Sequence, residues 1–301
     1  METLLECRGI TKHLQNYTIR DLSFCVNRGE ILGLVGVNGC GKTTLMRVLI
    51  GSYRLDGSLG DAGEIVLDGM HFVRDRKEYR KRIAYVMTDN PFGDMYTAEQ
   101  IGTLYGPYYE GFDTEKYKAK LEQFGVSYKT PIRKMSTGNG IRLQLAFAEG
   151  YDAELYIMDE PCGNLDPEFR NEFYDELRML VSDERRAVIL SSHLVTELEN
   201  IADRLVWMRR KEKEGTVRME GTVDEIRERF RMVLGDAGEI SRIPADMVVG
   251  QRIRENHCEA LVRRPEGVTR SEGWLPEELW ETSRCADLQE IMYYVEKGDV
   301  K

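Results

Sequence analysis

The chain predicts an α/β fold with a mixed, mostly parallel sheet, and three observations carry that reading. Four short apolar runs, Ile31 to Val35, Ile83 to Met87, Leu155 to Met158 and Ala187 to Leu190, suit strands covered on both faces. Helical patterning separates them: after Pro167, favoured at a first helical position, Phe169, Phe173, Leu177 and Leu180 recur at helical spacing. The first run feeds a glycine-rich turn, Gly36 to Thr44, that opens a helix from about Lys42 to Ile50.

Along the chain, Leu4 to Val26 alternates loosely and predicts short antiparallel strands, including Tyr17-Thr18-Ile19 and Leu22-Ser23-Phe24. Gly63 to Gly69 brackets a further strand, and a basic helix around Glu78 to Arg82 leads into Ile83 to Met87. From Thr97 to Gly150 the character turns helical: Asp113 is a candidate N-cap for a helix reaching Phe124, with Gly125 as its stop. Helical patterning resumes near Gly138 with Ile141, Leu145 and Ala148 on one face. The charge run Arg209 to Gly215 reads as a solvated turn or hairpin. Beyond it, three prolines, short β-like pieces and an amphipathic helix on Leu288, Ile291, Met292 and Val295 suggest a small α+β appendage. The expected division is 1–214, with a helical subdomain at about 90–150, and 215–301.

Composition narrows the class. With 42 basic against 52 acidic residues the formal charge is −10, which argues against sequence-independent nucleic-acid binding, and no nucleic-acid partner is expected. No apolar run approaches the roughly 20 residues that cross a bilayer as a helix. Met1 to Glu6 lacks the basic-then-apolar layout of a secretory signal, so a cytoplasmic location is expected. Six scattered cysteines without a C-x-x-C pair read as free thiols. His257 and Cys258 are adjacent, but strand neighbours point to opposite faces, so a metal pair is not expected.

The chemistry concentrates at Gly36-Val37-Asn38-Gly39-Cys40-Gly41-Lys42-Thr43-Thr44. Glycines let consecutive N–H groups turn inward as an anion nest, and the following helix adds its positive end. A triphosphate is the natural occupant, with Lys42 on the β- and γ-phosphates and the Thr43 hydroxyl on Mg²⁺. Asp159 and Glu160 close an apolar strand as adjacent carboxylates on opposite sides: Asp159 suits Mg²⁺ through its water ligands, and Glu160 suits polarising a water at the γ-phosphate.

In this order the motifs resemble the ATP-binding cassette (ABC) ATPases. Met135-Ser136-Thr137-Gly138-Asn139 is similar to the family's signature loop, Asn164-Leu165-Asp166 to the loop after the catalytic glutamate, and Ser191-Ser192-His193 to its switch histidine. The resemblance spans about Leu4 to Met208 and implies a P-loop ATPase core with an N-terminal antiparallel β subdomain, a helical insertion and the C-terminal appendage. It implies ATP and Mg²⁺ as cofactors, and Glu160, His193 and Lys42 as catalytic residues. It also implies a head-to-tail dimer in which Ser136 to Asn139 of a second copy complete the site. Ala286 to Val295 resembles the C-terminal helix of ATPases serving bacterial export-type permeases. The function implied is energising a separate transmembrane permease, with export as the direction, from the inner face of the cell membrane; two alternatives stay open, a soluble ABC ATPase acting on ribosome or DNA and a non-hydrolysing ATP-binding regulator.

Several residues depart from the family pattern. Thr88-Asp89 stand where a γ-phosphate- and Mg²⁺-sensing glutamine is usual, and weaker metal sensing with retained turnover is expected. Thr137 and Asn139 replace a glycine and a glutamine, adding bulk beside a phosphate. Leu14 falls where an adenine-stacking aromatic is usual, and Tyr17 is the candidate in its place. Cys40 is either a reactive thiol or a small filler, and either His193 meets the γ-phosphate or Ser191-Ser192-His193 simply caps the helix near Leu194 to Ala202. Phe92, Tyr96, Tyr105, Tyr108 and Tyr109 offer either a permease socket or local core.

Overall fold

The computed structural model describes residues 2–56, 63–163, 165–254, 257–265, 267–268 and 274–298. It forms two compact units, Met1–Leu194 with Ile201–Met219, and Val195–Asn200 with Glu220–Lys301. The division falls after 219, five residues beyond the 214 expected from sequence.

The first unit begins with β1 (Thr3–Leu14), β2 (Tyr17–Asn27), β3 (Ile31–Val35), α1 (Lys42–Leu49), β4 (Glu64–Leu67), β5 (Met70–His71), α2 (Arg76–Lys81) and β6 (Ile83–Met87). The helical block is α3 (Ala98–Tyr105), a 3₁₀ turn at Gly106–Tyr108, α4 (Thr114–Gln123) and α5 (Thr137–Gly150). Then come β7 (Leu155–Asp159), α6 (Pro167–Val181), β8 (Ala187–Ser191), β9 (Arg204–Lys211) and β10 (Glu214–Thr222), while α7 (Val195–Ile201), between β8 and β9 in the chain, belongs to the second unit in all but its last residue. One ten-stranded sheet has the order β5-β4-β1-β2-β10-β9-β3-β8-β7-β6. From β9 to β6 every neighbouring pair is parallel. The antiparallel strands β1, β2, β4 and β5 continue the same sheet.

One expectation is corrected. Tyr17-Thr18-Ile19 and Leu22-Ser23-Phe24 are parts of a single strand, β2, rather than short separate ones. The interruption between them is a register irregularity against β1, where Ile10 faces Leu22 and Lys12 faces Ile19, with Asp21 at φ +50°. The charge run is the β9–β10 hairpin, as the hairpin reading requires, with Glu212 at φ +53° in its turn.

Helix ends follow their caps. Thr97 and Gln100 form a capping box on α3, Asp113 accepts from Lys116 N–H on α4 at 2.9 Å, and Asp166 accepts from Phe169 N–H on α6 at 2.9 Å. In the helical block Phe147 of α5 packs among Phe92, Tyr109, Phe112 and Tyr117, with ring centroids 5.1–5.9 Å away. Burying an aromatic of this size stabilises the block by about 1.5–3 kcal/mol. The five aromatics singled out above therefore divide. Phe92, Tyr105 and Tyr109 belong to this cluster, whereas Tyr108 is 78% exposed.

The second unit carries α8 (Val223–Glu228), β11 (Phe230–Gly235), α9 (Ala237–Ile240), β12 (Val248–Arg254), β13 (His257–Arg263), α10 (Glu277–Thr282), β14 (Arg284–Cys285) and α11 (Leu288–Gly298). Its antiparallel sheet runs β12-β13-β11-β14. Val233, Ile240, Met247, Ala260 and Leu279 form part of a core of its own. Leu288, Ile291 and Val295 are the buried stripe of α11. On β13, His257 is exposed and Cys258 buried, so the two do not share a face.

Candidate functional site

The site grows from the ends of four consecutive parallel strands. Leu34, Ser191, Asp159 and Met87 stand in one row across β3, β8, β7 and β6. Each chain leaves its strand on the same edge, so the Gly36–Thr44 loop, Ser191–His193, Asp159–Glu160 and Thr88–Asp89 are brought together there. Ligands of open parallel sheets bind at that carboxyl edge.

The loop's glycines are required by its shape. Gly36, Gly39 and Gly41 adopt φ of +152°, +79° and +101°. A Cβ on Gly36 would lie 2.3 Å from the Met208 carbonyl oxygen and 2.7 Å from Cys40 Sγ. Gly41 precedes α1 without any side-chain cap, which leaves the first N–H groups of α1 for a ligand. Lys42 is buried and its Nζ donates to the Gly36 carbonyl at 2.6 Å, folding the amine across the loop. Asn38 and Thr43 are exposed, and Val37 and Thr44 half-buried. This backbone nest with a lysine laid over it fits a polyphosphate. Among the described residues no group of three or more His, Cys, Asp or Glu could hold a metal. The Thr43 hydroxyl and the Asp159 carboxylate suit a cation that takes its remaining ligands from phosphate and water.

Cys40 is fully buried against Gly36, so the filler reading describes it. Tyr17 also lies against the loop: its Cε1 is 3.2 Å from where a Gly41 Cβ would stand, and Arg210 sits over its ring at 5.6 Å. The ring packs on the main core, its hydroxyl is buried without a partner among the described residues, and burial pushes the phenol up to about 12.

At the carboxylate pair, Ser191 organises both residues. Its Oγ donates to Asp159 Oδ1 at 2.8 Å and accepts from Glu160 N–H at 3.0 Å, and the serine is fully buried. Glu160 has φ +48°, a left-handed conformation that a glutamate adopts only when its surroundings fix it. Thr88 supplies another restraint, donating its Oγ1 to the Glu160 carbonyl at 3.1 Å. The Glu160 side chain then meets His193, Oε2 to Nδ1 at 2.9 Å. The Ser192 hydroxyl accepts from Leu194 N–H, two residues on, at 3.0 Å. Asp89 is exposed beyond Thr88.

The signature-like residues are held elsewhere. Ser136 caps α5 by accepting from Asn139 N–H at 3.2 Å, and Thr137 is exposed. A Cβ on Gly138 would lie 2.4 Å from the Phe169 ring of α6, so only glycine lets that ring close on the helix start. Arg142 reinforces the junction, pairing with Glu172 and Glu176 at 2.8 and 2.6 Å and stacking 4.4 Å over Phe169. Leu165 is buried and Asp166 serves as the α6 cap; Asn164 lies outside the described residues. Sequence reasoning passed over Gln144, Ser191 as an organiser, and Arg210. Gln144 carried a signal, being a polar residue in the otherwise apolar stretch Leu143 to Ala148.

A glycine nest at the carboxyl edge of a parallel sheet, with a histidine-paired glutamate two strands away, defines a P-loop nucleotide-binding protein. A family model described as ABC transporter matches residues 19–163. The uncharacterized ABC transporter ATP-binding protein YhcH of Bacillus subtilis is 32% identical over 217 residues, covering 68% of this chain and 67% of the relative. Nod factor export ATP-binding protein I of Ralstonia nicotianae is 30% identical over 212 residues, covering 67% of this chain and 63% of its own length. A solved ATP-binding subunit of an ABC transporter superposes with a TM-score of 0.62 at 25% identity, over 74% of this chain and 92% of that one. The chain belongs to the ABC transporter ATP-binding proteins and carries their ATP-hydrolysing domain. No helix among the described residues is long and apolar enough to cross a membrane.

Proposed function

We propose that this chain is the ATP-hydrolysing subunit that energises a separate transmembrane permease from the inner face of the cell membrane, with export as the direction. The carrying observation is the row of strand ends that sets the Lys42 loop beside the Glu160–His193 pair. Export draws support from the named activity of the Nod factor relatives. The proposed domains are a nucleotide-binding 1–214 and an accessory 215–301.

In this reading the N–H groups of Gly36 to Thr44 and the Lys42 ammonium hold the phosphates of ATP, with Tyr17 at the base. Thr43 and Asp159 hold Mg²⁺, with Thr88 and Asp89 near it, and the ion supplies charge neutralisation at the β- and γ-phosphates. Glu160 accepts a proton from the attacking water, and His193 steers its carboxylate and touches the γ-phosphate. Ser136, Thr137, Gly138 and Asn139 sit at the exposed N-terminus of α5, and Asp166 at that of α6. They serve the γ-phosphate held by a second copy, so ATP joins a head-to-tail homodimer.

The permease helix is assigned to a groove of about 570 Å³ beside α2, with Lys77, Arg80, Tyr105 and Tyr108 in its wall. Expression with a tag from the native locus tests the reading. A membrane protein of several apolar spans is expected to co-purify and to change the ATPase rate; ribosomes or DNA co-purifying in its place would refute it.

A further inference from the structure

Gln144 is buried in α5, and its carboxamide meets both backbone groups of one residue on β6. Met87 N–H donates to Gln144 Oε1 at 3.0 Å, and Gln144 Nε2 donates to the Met87 carbonyl at 2.9 Å. The same Nε2 lies 3.2 Å from the Gly140 carbonyl, in the first turn of α5. Because β6 is the last strand of the sheet, the outward backbone groups of Met87 have no further strand among the described residues to pair with. The side-chain amide takes that strand's place, satisfying a donor and an acceptor at once.

What makes this more than an edge repair is the residue that follows. Thr88 donates to the Glu160 carbonyl, while Ser191 holds the Glu160 N–H. Glu160 therefore keeps its left-handed backbone between two hydrogen bonds, one of which comes from Thr88, the neighbour of the Met87 that Gln144 holds. Asn90 adds a parallel tie from the same loop, its Nδ2 donating to the Gly140 carbonyl at 3.4 Å. A continuous path runs from the first turn of α5, which bears Ser136 to Asn139, through Gln144, Met87 and Thr88 to Glu160.

We propose that Gln144 is a positioning residue for ATP hydrolysis, fixing Met87 and Thr88 so that the placement of α5 is registered at the Glu160 backbone. The inference rests on the ATPase reading above. Gln144 also lines a cavity of about 380 Å³ with Phe92, Tyr105 and Tyr109, so a segment entering there would press on this amide. The family's sensing glutamine is absent from position 88, and here a glutamine reaches the same loop from the helix side instead.

The test is steady-state ATPase kinetics and thermal unfolding of the purified full chain carrying Gln144→Met, Thr88→Val, or both. Gln144→Met keeps the length and loses every hydrogen bond. A fall in kcat of about tenfold is expected, with KM for ATP within about twofold because the Lys42 loop is untouched. Thr88→Val is expected to match it, and the double variant to be no slower than either single one, since both act on one path. If Gln144→Met fails to fold, Gln144→Glu keeps size and the bond from Met87 N–H, loses the donor to the Met87 carbonyl, and is expected to show the same fall. An unchanged kcat per folded molecule, or singles that multiply in the double, overturns the proposal while leaving the ATPase reading intact. An inactive wild-type chain overturns both.

Discussion

Replacing Ser191 by alanine removes one oxygen from a fully buried position without changing the strand. The lost contacts are the 2.8 Å bond to Asp159 Oδ1 and the 3.0 Å bond from Glu160 N–H. A hydrogen bond to a charged group contributes about 1.5–3 kcal/mol and a neutral one about 1. Asp159 is half-exposed, which pulls the first toward its lower end, so the sum is about 2–2.5 kcal/mol. Part of that loss falls on folding and part on catalysis, because the freed Glu160 N–H no longer fixes the carboxylate against His193. Urea unfolding is expected to report about 1 kcal/mol of destabilisation, and ATPase assays a kcat about tenfold lower. Stability within about 0.5 kcal/mol of wild type together with undiminished kcat would refute Ser191 as the organiser of the pair.

Native protein treated with a thiol reagent is expected to label exposed Cys285 first and to leave Cys40, Cys7, Cys162 and Cys258 unmodified until unfolding, since all four are buried. Rapid labelling of Cys40 in the native chain would contradict the packed loop. Acid sensitivity should trace partly to Asp68. Burial raises its carboxyl, but hydrogen bonds from Arg82 at 2.8 Å and an ion pair with Arg28 at 2.9 Å outweigh that and hold it below the usual carboxylate range. With the folded value depressed, the stabilisation is present above the unfolded value near about 4 and is lost as pH falls through the folded one. Asp68→Asn should therefore flatten the loss of stability below about pH 4, and an unchanged slope in acid titrations monitored by circular dichroism would count against the assignment.

The parallel half of the sheet was legible because each strand is buried on both faces and so reads as an unbroken apolar run, as in Leu155 to Met158 and Ala187 to Leu190. The cap at Asp113 was legible for a local reason: it satisfies an N–H group three residues on. The antiparallel edge was harder. An irregular register near Asp21 broke the alternation of β2 and made one strand look like two. Within the site, the loop and carboxylates announce themselves by residue type and order, and Cys40 took its role from packing against Gly36. The supporting contacts of Ser191 and Gln144 depend on strands and helices far apart in sequence, and no local pattern encodes which backbone group a buried amide will meet.

In the proposed function Glu160, steered by His193, activates water at a nucleotide shared between two copies. Glu160→Gln keeps the size of the side chain and removes its basicity. In the presence of ATP and Mg²⁺, this variant is predicted to lose turnover by about a hundredfold or more and to elute in size-exclusion chromatography as a nucleotide-loaded dimer, while wild type returns to monomer. Wild-type turnover in the variant, or a monomer that retains bound ATP, would contradict both the role of Glu160 and the shared site.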